Sequence, residues 1–154
     1  MVKRFRQCGD TVGKKMKIVK CYSELIQIPD YQERFEYLKL AGQIGESTFG
    51  FDRWLNQNFY RSAEWKRVRE QVIIRDFGCD LAHRDYPIGG QILIHHMNSI
   101  ELTDITEKSS EILNPNYLVC VSKTTHNAIH YGDAELLPKP PIERRANDTC
   151  PWRR

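Results

Sequence analysis

The chain has 154 residues, of which 40% are hydrophobic and 28% are charged, and its net charge is +3. A chain of this length and composition fits one folded domain with a modest core, which excludes a wholly disordered protein. It has no apolar run of membrane-spanning length, and its basic N-terminus is not followed by the apolar core of a signal peptide, so we expect a cytoplasmic protein with no membrane partner.

The two ends of the chain carry most of the positive charge. Residues 1–20 contain seven Lys or Arg and one Asp, and residues 139–154 contain five basic and two acidic residues, which leaves the middle of the chain at −6. Because residues 1–20 also lack apolar periodicity, they are predicted to form a flexible basic arm that contacts phosphates. A solvated tail without a binding role is the alternative. The prolines from Pro138 onward predict an extended C-terminal tail over residues 138–154.

The part of the chain before the histidine-rich segments is predicted to be mainly helical. Asp30 with Glu33 three residues later resembles a capping box, and the apolar residues that follow recur at helical spacing. Residues 42–60 are rich in aromatic side chains and are predicted to form a structured loop or a short helix. Ser62 is a suitable N-cap for a further helix, whose apolar stripe begins at Trp65. Three cations lie off this stripe and form either a solvated face or a phosphate-contacting face: Lys66, Arg67 and Arg69.

Two adjacent histidines, His95 and His96, lie in an apolar, β-branched run over residues 92–97 that follows two glycines. This pattern predicts a strand entered from a turn. Neighbouring strand side chains point to opposite faces, so only one of the two imidazoles can face a given neighbouring element. His83 stands apart in a polar loop, and we interpret it as an ordinary surface residue or a hydrogen-bonded core residue rather than a ligand.

Two further histidines, His126 and His130, lie in a segment that predicts a short helix. Thr124 or Thr125 is a suitable N-cap, and Gly132 is a suitable end. Residues four apart share a helix face, so the two imidazoles point in one direction. A strand histidine can join them as a third metal ligand, which leaves the other strand histidine free for chemistry.

The cysteines argue against a closed structural zinc site. Such sites use four protein ligands, commonly including Cys. Cys120 lies within a second predicted strand over residues 117–121, and Cys79 has no partner in a CxxC pair. Five cysteines at irregular positions also lack the pattern of a secreted disulfide framework. We therefore expect three protein ligands and open coordination positions. An acidic insertion, residues 99–116, separates the two strands, with a short helix predicted near residues 106–113.

A strand, a long loop, a second strand and a helix with these histidines form the layout of a ββα-metal site, and the His-His strand resembles that of colicin-type HNH endonucleases. Three runs, residues 59–65, 94–98 and 125–132, resemble HNH proteins of bacteriophages, and the similarity extends from about residue 22 to the C-terminus. The resemblance implies an α+β fold with a ββα-metal (HNH) core at about 91–132, inside a single nuclease domain over 21–137. Additional N-terminal helices and extended basic termini complete this expected fold.

The resemblance also implies a role for each histidine of the cluster. It makes His95 the strand metal ligand, His126 and His130 the helix ligands, and His96 the general base. The family's central Asn, which orients the general base, falls nine residues before the first helix histidine. This chain has Tyr117 there, so a shift of one residue makes Asn116 the candidate, with Asn114 close by, unless another group orients His96.

The expected function is therefore that of a metal-dependent DNA endonuclease, encoded by a phage and acting in the cytoplasm of an infected or lysogenic bacterial host. The resemblance adds a phage terminase subunit as a further partner, because such proteins are commonly associated with packaging terminases. One divalent metal ion is expected: imidazole ligands favour Zn²⁺ or Ni²⁺, Mg²⁺ prefers oxygen, and Mn²⁺ is intermediate. The expected DNA contacts are Lys66, Arg67, Arg69 and Lys123. The alternative is a non-catalytic DNA-binding module in which the same histidines hold a structural metal, and that module has no need of His96.

Overall fold

The computed structural model describes residues 19–40, 57–107 and 109–137. In these ranges the chain is an α+β protein of short helices and two small antiparallel sheets. The elements are α1 (Tyr22–Leu25), α2 (Tyr31–Leu38), α3 (Ala63–Arg75), β1 (Cys79–Asp80), β2 (Tyr86–Pro87), β3 (Leu93–His96), α4 (Leu102–Thr106), β4 (Leu118–Val121) and α5 (Lys123–Tyr131). The predictions for residues 1–18, for most of 42–60 and for the tail over 138–154 fall outside the described residues; residues 57–61 are helical.

The predicted helix starts are mostly observed. The Asp30 carboxylate accepts a hydrogen bond from the backbone N–H of Glu33 at 3.0 Å, and α2 begins one residue after Asp30. Ser62 caps α3 by accepting from the N–H of Trp65 at 3.1 Å. The helix α5 ends, as predicted, at Gly132, which has a φ of 68° that glycine adopts without steric cost.

Two predicted boundaries were wrong. The N-cap of α5 is Ser122 rather than Thr124 or Thr125, because its hydroxyl accepts from the N–H of Thr125 and the helix begins earlier. The helix in the insertion runs from Leu102 to Thr106 instead of lying near residues 106–113. Glu101 is the N-cap of this helix and forms a reciprocal capping box with Asp104.

The central pair of strands is antiparallel, with His95 opposite Val119 and His96 opposite Leu118. All four residues of β4 are buried. Their side chains alternate between two hydrophobic clusters, as strand geometry requires. Val119 and Val121 join a cluster with α1, α2 and α5, whereas Leu118 and Cys120 join a cluster with α3. The two-stranded sheet therefore separates an α5 side from an α3 side.

Side chains and loop backbone close the other edge of β4. The carboxylate of Asp76, which is 2% exposed, accepts from the N–H of Cys120 at 2.9 Å. Arg75 binds the same carboxylate and donates to the carbonyl of Leu118 at 2.8 Å. Asp80 accepts from the N–H of Ser122 at 2.9 Å, at the start of α5. The strand is thus held on both edges and both faces, which fixes the position of the helix that follows it.

Lys20, which the sequence assigns to the basic arm, is tied to the folded body. Its backbone N–H and carbonyl both bond to the side chain of Asn98, at 2.8 and 2.9 Å. Its ammonium donates to the carbonyls of Leu38 and Lys39 at the end of α2, each at 3.2 Å. Within the described ranges, no helix is long and apolar enough to cross a membrane.

Candidate metal centre

His95 on β3 and the pair His126 and His130 on α5 come together in space. One ligand atom from each lies within 4.8 Å of the others. The Nε2 atoms of His126 and His130 are 3.1 Å apart. Two nitrogen ligands of one tetrahedral metal ion, each about 2.05 Å from it, would be separated by about 3.3 Å. The separation in the helix pair fits two ligands on a shared ion, and it equally fits a hydrogen bond between the two rings.

The feature of the cluster that best fits a bound metal ion is the buried ring of His95. The residue is 2% exposed, and its Nε2 has no hydrogen-bond partner in the described part of the chain. A buried polar atom left unpaired costs about 1–3 kcal/mol. Its ring is nearly perpendicular to those of His126 and His130, with centroids 5.5 and 5.2 Å away. The three histidines could hold a metal ion, and such an ion would supply the missing partner.

The surroundings of all three imidazoles favour the neutral form that metal binding requires. Burial lowers the pKa of His95 well below its usual range, and the neighbouring imidazoles lower it further. Burial, followed by the nearby His130, lowers the pKa of His126 to about 4, and burial also lowers the pKa of His130. Neutral rings near pH 7 keep a lone pair free for a metal.

The cluster contains three histidines and no cysteine among the described residues. Cys120 is near in sequence but lies on the α3 side of the sheet, whereas His95 is opposite Val119, whose side chain faces the α5 side. An ion bound by three protein ligands retains open coordination positions, which is the arrangement of catalytic sites.

His96 lies next to the cluster but faces α3 rather than α5. Its Nε2 is 3.0 Å from the carbonyl oxygen of Ile112. A carbonyl only accepts hydrogen bonds, so Nε2 carries the proton of the neutral ring and Nδ1 carries the lone pair. Burial lowers the pKa of His96 to about 4, against the opposing effect of the Ile112 hydrogen bond. At neutral pH the ring is therefore a base with a defined accepting atom.

The hydrogen-bond partner of the His96 ring is a backbone carbonyl. Asn116 lies in a 3₁₀ turn, where its N–H donates to the side chain of Asn114 at 2.9 Å, and the carbonyl of Tyr117 accepts from Met97. Among the described residues, the His96 ring donates its hydrogen bond to the carbonyl of Ile112. The geometry thus favours the alternative that another group orients His96. The sequence carries no signal for a backbone carbonyl in this role.

The four cations predicted to contact DNA lie on two helices. Lys66 and Arg67 are exposed on α3. Arg69 is partly buried and donates to the carbonyl of Ile92 at 3.1 Å, so it also ties α3 to the chain entering β3. Lys123 is exposed at the start of α5, where it lines an open pocket together with Tyr131. A DNA contact by any of the four stays a prediction.

The structure adds detail to the sequence analysis at His83 and at Trp65. His83 is buried, and its Nε2 has no hydrogen-bond partner in the described ranges. One carboxylate oxygen of the nearby Asp80 is likewise buried without a partner there. The polar neighbours of His83 in the sequence gave no sign of this burial. Trp65, expected only to form part of an apolar stripe, stacks on His96.

Comparisons with protein-family models, with curated proteins and with solved structures found no match.

Proposed function

We propose that this protein is a metal-dependent endonuclease of the HNH type that hydrolyses phosphodiester bonds in DNA. The observation that carries the proposal is the cluster of His95, His126 and His130, with a neutral His96 adjacent to it on the strand. The resemblance of the histidine segments to HNH proteins supports it. The basic end segments, at +6 and +3, support a polyanionic substrate.

Each task in phosphodiester hydrolysis has a candidate group in this chain. Nδ1 of His96 accepts a proton from the attacking water, whose oxygen forms the new bond to phosphorus while the bond to the 3′-oxygen breaks. The leaving 3′-oxygen takes up a proton from solvent. His95, His126 and His130 would hold the divalent ion, which when bound supplies Lewis-acid stabilisation of the negative charge on the phosphate and the leaving oxygen.

The alternative of a structural metal in a DNA-binding module accounts for fewer of these features. A structural site would be closed by four protein ligands, and the described cluster has three. Such a module also gives no reason for a neutral imidazole at His96 whose Nε2 is hydrogen bonded and whose Nδ1 keeps its lone pair.

The test is cleavage of supercoiled plasmid by the purified protein, with EDTA and then with Mg²⁺, Mn²⁺, Zn²⁺ or Ni²⁺. We expect at least one metal to support nicking or linearisation. His96→Ala should lower the rate by about a hundredfold or more, because a general base contributes about 10²–10⁴. Its metal affinity and unfolding midpoint should remain close to those of the wild type.

Ile74→Ala is a matched surface control, since Ile74 is 74% exposed on α3 and does not belong to the histidine cluster. It should cleave at the wild-type rate. No cleavage by the wild-type protein with any of the four metals would reject the proposal, and full activity of His96→Ala would reject the role given to His96.

A further inference from the structure

The indole of Trp65 and the imidazole of His96 are stacked. Their ring centroids are 5.2 Å apart, and their planes differ by 16°. Phe59 and Tyr60 approach the same imidazole at 6.4 and 6.5 Å, with rings inclined to it. His96 is therefore held within an aromatic group contributed by the start of α3 and the helical segment just before it.

Trp65 is itself firmly supported. It is 5% exposed and lies in the cluster that contains Val72 and Leu118. Its backbone N–H donates to the Ser62 hydroxyl, and that hydroxyl in turn donates to the carbonyl of Phe59 at 2.7 Å. The cap thus holds the backbone of Trp65, and the indole cannot tilt without disturbing a hydrophobic core.

Two restraints together limit the orientation of the His96 ring. Stacking on Trp65 limits the χ2 rotation that would tilt the ring plane. The hydrogen bond from Nε2 to the Ile112 carbonyl limits the χ1 rotation that would swing the ring away. Either restraint alone leaves one rotation free, because a histidine side chain has two torsions.

From this geometry we infer that Trp65 is a positioning residue for His96, and that its stacked indole directs Nδ1 of the imidazole toward the attacking water. The inference rests on the proposed nuclease function and adds to it a residue that touches neither substrate nor metal. A reacting group misplaced by about 1 Å can lose about a hundredfold in rate, so the stack has a measurable catalytic consequence.

The test compares three variants of the full-length protein under the metal conditions that support plasmid cleavage. Trp65→Leu keeps apolar volume but removes the ring, and Trp65→Phe keeps a ring that can stack. Val72→Ala is the matched control, because Val72 is fully buried in the same cluster and on the same helix but has no ring. Urea unfolding of each variant establishes that it is folded under the assay conditions.

We expect Trp65→Leu to lower kcat by about tenfold to a hundredfold. The KM for DNA and the affinity for metal should stay unchanged. Trp65→Phe should recover most of the lost rate, and Val72→Ala should retain the wild-type kcat despite its reduced stability. An unchanged kcat in Trp65→Leu would overturn the inference, and so would an equal loss of kcat in Val72→Ala.

Histidine-selective NMR gives a readout that does not depend on activity. The ring current of the indole should shift the His96 ring protons upfield in the wild-type protein, with the signals assigned by their absence in His96→Ala. The shift should disappear in Trp65→Leu and persist in Val72→Ala. Unchanged His96 signals in Trp65→Leu would overturn the inference even if the protein cleaves DNA. A wild-type protein with the expected upfield shift but no cleavage would instead reject the nuclease function, and with it the positioning role.

Discussion

Replacement of His130 by Ala should remove most of the stabilisation that a divalent metal gives to the fold. A ligand present at a hundred times its Kd stabilises a native protein by about 2.7 kcal/mol, which corresponds to a rise in Tm of about 5–11 °C for a domain of this size. His130 is one of three ligands, and its ring nitrogen lies 3.1 Å from that of His126. Loss of even an outer-shell partner commonly weakens metal binding by about 10–100-fold, and a direct ligand should cost at least as much.

A hundredfold weaker affinity makes the same metal concentration equal to the new Kd, and the stabilisation then falls to about 0.4 kcal/mol. The assay is thermal unfolding with and without Zn²⁺ or Ni²⁺, with the affinity of each protein measured separately by calorimetry. His83→Gln is the control, because it removes a histidine that lies outside the cluster, and its metal-induced shift in Tm should match that of the wild type. Equal shifts for the wild type and His130→Ala would refute the assignment of His130 as a ligand.

Three further predictions concern the fold and the basic arm. Asp76→Ala should lower the free energy of unfolding by about 3 kcal/mol in urea titrations, because it breaks the ion pair with Arg75 and leaves the N–H of Cys120 without its acceptor. Asp76→Asn should lower the free energy of unfolding by less. Phe77→Gly should raise the free energy of unfolding by about 0.5–1 kcal/mol in the same assay. Phe77 has a φ of 54°, which is strained for a residue with a Cβ, and its ring is 88% exposed, so little packing is lost. A lower free energy of unfolding would contradict this. Deletion of residues 1–18 from the inactive His96→Ala protein should weaken its DNA binding and flatten the salt dependence of that binding, both measured by fluorescence anisotropy. Identical salt slopes with and without residues 1–18 would show that the arm is only a solvated tail.

The histidine cluster could be predicted because it depends on local periodicity. A four-residue spacing places His126 and His130 on one helix face without any knowledge of the rest of the fold. Strand alternation likewise requires that His95 and His96 face different sides. The one long-range step was the pairing of β3 with β4, which brings His95 over α5. The order of the elements suggested that pairing, but the sequence did not give its register.

The surroundings of His96 could not be predicted, because they depend on contacts between distant segments. Ile112 belongs to an insertion whose path is irregular, and its carbonyl contributes through position rather than through side-chain type. Trp65 was recognisable as an apolar helix residue, but its position in the sequence does not indicate which ring it meets. The burial of His83 could not be predicted for a similar reason, since a polar local sequence says little about whether tertiary packing covers the residue.

The two halves of the site are held by different parts of the chain. The positions of the three clustered histidines depend on β3, β4 and α5, and the two carboxylates that close the outer edge of β4 fix that strand where α5 begins. The orientation of His96 depends instead on Trp65 at the start of α3 and on Ile112 in the insertion. In the proposed nuclease, changes in α3 or the insertion should therefore alter the rate of the chemical step while metal binding persists. Because α5 follows β4 after the single residue Ser122, a disturbance of β4 should instead impair metal binding first.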